Sequence, residues 1–90
     1  MWYHIIVTKY EKLLNRVTSS PKHVTATELI KLMELVGFSW RRGSKNHYIF
    51  YYRSITIGIA PPHPGRFVKP VYVKNCLKTI EEVIKNEENR

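Results

Sequence analysis

The side chains best suited to moving protons near neutral pH are four histidines, His4, His23, His47 and His63. No pair of them has the His-x3-His spacing of a metal site, and no acid stands beside any pair to complete one. No metal and no cofactor are expected. The chain contains no Asp, so a Ser-His-Asp arrangement is excluded. Gly43-Ser44-Lys45 has the residues that end a phosphate loop, but the upstream glycine and the long helix that should follow are missing. No dinucleotide fingerprint is present. The single cysteine, Cys76, has no partner for an internal disulfide and no neighbours for a zinc site.

Two of the histidines are related through the strands that carry them. A hairpin turning at Arg53-Ser54 pairs Tyr52 with Ile55, and counting back sets His47 opposite Ala60. His63 follows three residues later, at the same end of the hairpin. Lys45 and Arg66 are close to them in sequence, so two imidazoles and two cations are expected around one phosphate. Cleavage of an RNA backbone needs such a set. A base takes the 2′-hydroxyl proton, an acid protonates the leaving oxygen, and cations stabilise the developing charge. His47 opens a strand, whose hydrogen bonds hold its backbone still. His63 sits between Pro62 and Pro64 in a loop. The proton-transfer role therefore falls to His47 and a positioning role to His63.

The charge pattern points to the same class of ligand. Fifteen Lys and Arg against seven Glu give a net charge of +8. Between Gly37 and Ile80 there is no acid, but there are eight cations: Arg41, Arg42, Lys45, Arg53, Arg66, Lys69, Lys74 and Lys78. A segregated basic field attracts polyanions and speeds their encounter. Trp40, Tyr48, Phe50, Tyr51 and Tyr52 offer rings for base stacking. Alternating aromatics are more often core, so one strand face is expected to be buried and at most two rings to meet a ligand.

The elements that must hold these groups are legible from periodicity. Ninety residues with 43% hydrophobic and 24% charged side chains make one folded domain with one core. Residues 8–18 carry Tyr10, Leu13, Leu14 and Val17 on one helical face, ended by Ser19-Ser20-Pro21. Tyr3 to Val7 fit a short strand, an early helical turn or a frayed end. Thr25 with Glu28 forms a capping-box pattern ahead of a helix bearing Leu29, Leu32, Met33 and Val36, and Gly37 stops it. Residues 38–41, 47–52 and 55–60 read as three strands, and Pro61-Pro62 ends the third. Pro70 suits the first turn of a final helix carrying Val73, Cys76, Leu77, Ile80, Val83 and Ile84. The order is an N-terminal helix, then α-β-β-β-α. A three-stranded antiparallel meander with both longer helices on one face is the layout of double-stranded-RNA-binding domains. The fold class is therefore α+β.

With the elements in place, three segments resemble the HicA toxins. Glu28-Leu29-Ile30-Lys31-Leu32-Met33-Glu34-Leu35-Val36-Gly37-Phe38 is similar to the family's opening helix and Gly-Phe. Gly43-Ser44-Lys45-Asn46-His47-Tyr48-Ile49-Phe50 resembles its Gly-Ser-His-x-x-Phe/Tyr signature. Pro62-His63 with Lys69-Pro70 and the helix behind them resembles its Pro-x-His…Lys-Pro segment. The likeness spans residues 25–85, with residues 1–24 as an N-terminal extension and 86–90 as a polar tail. It implies a metal-independent ribonuclease toxin of a type II toxin–antitoxin pair, acting on mRNA, with a double-stranded-RNA-binding-like fold. His47 takes the place of the family's catalytic histidine. The set expected to contact RNA phosphates is Arg42, Ser44, Lys45, His63, Arg66 and Lys69. A HicB-like antitoxin is the implied partner, in a hetero-oligomer. In the family Gly-Ser directly precedes the histidine, whereas Lys45-Asn46 intervene here.

Other expectations come from what the sequence lacks. No apolar run approaches about 18 residues, so no membrane helix is expected. Met1-Trp2-Tyr3-His4 does not open a signal peptide. A cytoplasmic location is expected. The competing readings are a non-catalytic RNA-binding module of the same fold and a protein-interaction domain using the open sheet face.

Overall fold

The computed structural model of the protein describes residues 8–88. The expectations for Tyr3 to Val7 and for His4 lie outside these residues. Three helices and three strands follow in the order α1 (Lys9–Ser19), α2 (Ala26–Val36), β1 (Ser39–Arg42), β2 (Tyr48–Tyr52), β3 (Ile55–Ile59) and α3 (Pro70–Glu88). The chain is α+β, with an open antiparallel sheet in the order β1-β2-β3.

Each helix starts where local chemistry satisfies its free N–H groups. Thr25 Oγ1 accepts from the Glu28 amide at 3.1 Å, and Glu28 Oε1 accepts from the Thr25 amide at 2.9 Å. Helix α1 has the same reciprocal box between Thr8 and Glu11. Such a cap contributes about 1 kcal/mol. At the end of α2, Gly37 takes φ +120°, and its amide donates to Glu34 O. The Phe38 amide reaches back to Met33 O at 3.0 Å, and both Phe38 and Met33 are buried. This closure satisfies the last carbonyls and turns the chain into β1. Pro70 begins α3, where a missing N–H costs nothing.

The register of the hairpin is Tyr52↔Ile55 through Tyr48↔Ile59, so His47 stands one step beyond the last pair, opposite Ala60. Arg53, at φ +55°, makes the turn with Ser54. Strand alternation then separates two faces. Tyr48, Phe50 and Ile59 are buried in the core with Leu29, Leu32 and Met33 of α2 and Val73, Cys76, Ile80 and Val83 of α3. On the other face Ser39, Arg41, Tyr51, Thr56 and Gly58 are exposed. Ile49 lies among them between two glycines: a Cβ built on Gly43 would meet its Cγ1 at 2.9 Å, and one on Gly58 its Cδ1 at 3.2 Å.

Residues 8–24, expected as an extension carrying a short helix, hold that helix and pack into the domain: Val17 and Val24 are fully buried in the same core. Arg16 also ties α1 down, donating to His23 O at 2.7 Å and pairing with Glu28 at 3.5 Å. Residues 86–88 of the expected polar tail continue α3, and Glu87 is held from across the fold by Tyr52 at 2.8 Å and Arg53 at 3.3 Å. Trp40 faces the helices, donating from Nε1 to Glu34 at 3.1 Å and packing edge-on to Tyr48. Of the five rings proposed for stacking, only Tyr51 is exposed. No helix among the described residues is long and apolar enough to cross a membrane.

Candidate nucleic-acid interface

His47 is held by the loop before it. The chain leaves β1 at Arg42, passes Gly43, and makes a tight turn over Ser44–Asn46. Lys45 and Asn46 both take left-handed conformations, at φ +57° and +61°. These are the two residues that separate Ser44 from His47. Their curl brings the Ser44 carbonyl under the histidine, where it accepts the His47 amide at 3.2 Å and lies 2.9 Å from Nδ1. The Gly43 amide closes the loop by donating to His47 O at 2.7 Å.

A carbonyl oxygen only accepts, so Nδ1 must carry a proton. In the neutral imidazole Nε2 then bears the lone pair. The backbone thus selects the tautomer in which the outer nitrogen is available as a base, and the same nitrogen can return the proton as an acid.

Arg42 braces this loop from the other side. Nη1 donates to Asn46 O and Nη2 to the Tyr48 hydroxyl, each at 3.0 Å, with the guanidinium 4.2 Å from the Tyr48 ring centre. Arg42 was expected as a phosphate contact, but two of its donors are committed to building the loop. Lys45 and Ser44 are exposed at its tip.

His63, Arg66 and Lys69 come together in a cleft of about 470 Å³ between the end of β3 and the start of α3. Ala60, opposite His47, also lines it, so the strand register connects the loop to the cleft. Phe67 lines the same cleft and is 46% exposed. Sequence reading passed over Phe67, because one aromatic in a proline-rich loop has no period to mark it.

The eight cations do not form one field. Arg53 is paired with Glu87. Lys74 and Lys78 line a different groove, with Tyr10 and Leu14 of α1. Arg41, Arg42, Lys45, Arg66 and Lys69 remain, and none of them is ion-paired among the described residues. A second groove, of about 400 Å³, holds Leu35, Val36 and Ile84 with Glu87 and Glu88 and, among the described residues, no cation, so the charge of this lining does not suit a polyanion. Burial pushes the Cys76 thiol up to about 12, which removes it as a nucleophile. Among the described residues no three metal-ligating side chains gather. No family model, curated protein or solved structure matches the chain.

Proposed function

We propose that this chain is a metal-independent ribonuclease toxin of the HicA type, built on a double-stranded-RNA-binding-like fold. The observation that carries the reading is the His47 Nδ1 contact with the Ser44 carbonyl, which leaves Nε2 as the proton-transfer atom. His47 takes the 2′-hydroxyl proton and returns it to the leaving oxygen. Lys45, Arg66 and Lys69, with His63, hold the phosphate and oppose its developing charge. Ser44 contributes its backbone carbonyl. Lys45-Asn46, the departure from the family spacing, supply the left-handed corner that carries Ser44 back to His47. The substrate is mRNA in the cytoplasm, and an acidic HicB-like antitoxin silences the toxin by covering His47.

Induced expression of wild type beside His47→Ala tests the reading. Wild type should arrest growth and deplete mRNA, and His47→Ala should do neither. Equal growth of the two strains without RNA loss would favour the non-catalytic RNA-binding module. That second reading is supported by the same cations, Lys45, Arg66 and Lys69, and has no need of His47.

A further inference from the structure

We propose that the cleft between β3 and α3 is a nucleobase pocket, which takes one unpaired nucleotide of single-stranded RNA. The proposal rests on the RNA reading above and goes on to specify the strand state of the substrate. Ala60, Pro61, Pro62 and Tyr72 are half-buried and form the apolar wall, while Phe67 stands exposed beside them. Arg66 and Lys69 share the cleft, and among the described residues no carboxylate lines it. An apolar plane beside unopposed cations matches a flat base joined to a phosphate.

The pocket is built before any ligand arrives. The Val68 amide donates to Val24 O at 2.8 Å, and the Val68 side chain is buried. This anchors the loop on the α1–α2 connection. The Arg66 amide donates to His63 O at 2.9 Å across Gly65, which turns at φ +77°. His23 meets Phe67 edge-on, with ring centres 5.2 Å apart at 77°. Phe67 is thus braced on one side and still half-exposed. An exposed, braced ring is the form a stacking platform requires.

The pocket is concave, and a base inside a duplex cannot enter it without leaving its stack. Unpaired nucleotides enter without that cost. The base would sit beside Ala60, next to His47, so it belongs to a nucleotide adjoining the scissile phosphate. The pocket then gives the enzyme its preference for loops and single strands.

The test compares two 2′-O-methylated probes, which lack the attacking hydroxyl: a short single strand carrying one 2-aminopurine, and the blunt duplex of the same sequence. Wild type should quench 2-aminopurine fluorescence in the single strand as the base stacks. Phe67→Ala should abolish the quenching and weaken single-strand binding by about 5- to 150-fold, the range for loss of one stacked base. Duplex binding should stay within about twofold. Phe67→Trp should retain both signals, and its thermal melt with that of Phe67→Ala should match wild type. Salt-sensitive binding with no quenching, or equal losses for strand and duplex, overturns the pocket while leaving the RNA reading in place. Failure of wild type to bind either probe overturns both. Tighter binding of a poly-glutamate peptide than of the single strand, lost in Phe67→Ala, assigns the cleft to an acidic protein segment and overturns the pocket.

Discussion

The Tyr52 hydroxyl donates to Glu87 Oε1 at 2.8 Å, joining the hairpin to the last turn of α3 across 35 residues of sequence. The hydrogen bond to the carboxylate, helped by burial, raises the Tyr52 pKa above its usual value, although Arg53 pulls the other way. A phenol whose pKa is raised by folding stabilises the protein below its unfolded value of about 10 and loses that contribution as pH rises through the folded value. Tyr52→Phe removes this dependence. Thermal melts from pH 8 to 11 should therefore fall more steeply for wild type than for the variant. Parallel curves would mean the contact adds nothing.

His47 and His63 should separate in single-turnover cleavage. His47→Ala should slow cleavage by roughly 10²-fold or more, as expected for loss of a general acid–base group, with RNA affinity nearly unchanged. His63→Ala should slow it less. Excess EDTA should leave the wild-type rate unaltered. Cleavage by His47→Ala at the wild-type rate would refute the assignment.

RNA affinity should fall with salt. The structure leaves four cations for phosphate, Arg41, Lys45, Arg66 and Lys69, since Arg42 braces the loop, Arg53 is paired and Lys74 and Lys78 line the α1–α3 groove. With about three to four contacts at about 0.7 each, the log–log slope should be roughly −2 to −3 for a single strand. Lys74→Gln with Lys78→Gln should not change it. A slope near −5 that drops in this double variant would restore a continuous eight-cation field.

Antitoxin and RNA should compete for one surface. The unpaired cations and His47 lie on neighbouring segments, so an acidic segment that neutralises one covers the other. In a gel-shift titration, adding antitoxin should release RNA. A ternary complex would rule out occlusion.

Gly43→Ala should destabilise the fold by about 1–3 kcal/mol, because the new methyl meets Ile49 Cγ1 at 2.9 Å. In an Ile49→Ala background that cost should vanish, as contacting residues do not add. Urea melts of the four proteins complete the cycle. An equal cost in both backgrounds would show the clash is not with Ile49.

Much of this architecture is legible in local sequence. Thr25 with Glu28, and Gly37 after Val36, mark both ends of α2, because caps depend on neighbours a few residues away. The hairpin register follows from its two-residue turn, and with it the place of His47 opposite Ala60. The box at Thr8 and Glu11 is the same pattern and was equally readable. What depends on distant partners is not legible. Four residues of β1 do not reveal that Trp40 turns toward Glu34 and Tyr48. Polar residues 86–88 carry no apolar period, and Glu87 is held only by Tyr52 and Arg53. The run of cations between Arg41 and Lys78 is continuous in sequence, but a helix turns Lys74 and Lys78 toward α1. The tautomer of His47 depends on the left-handed pair Lys45 and Asn46, a conformation their residue types permit without specifying.

Two adjacent left-handed residues, neither of them glycine, make the corner before β2 one that an unfolded chain seldom visits. Each costs about 1–2 kcal/mol against an ordinary backbone. That cost falls on folding, and the Ser44 carbonyl then holds the His47 ring with little rotational entropy left to surrender to a substrate. Relaxing the corner with glycine would favour the folded state locally and free the imidazole to wander. On the proposed ribonuclease reading, conformational stability and catalytic readiness are opposed at this loop, a trade-off written into three consecutive residues.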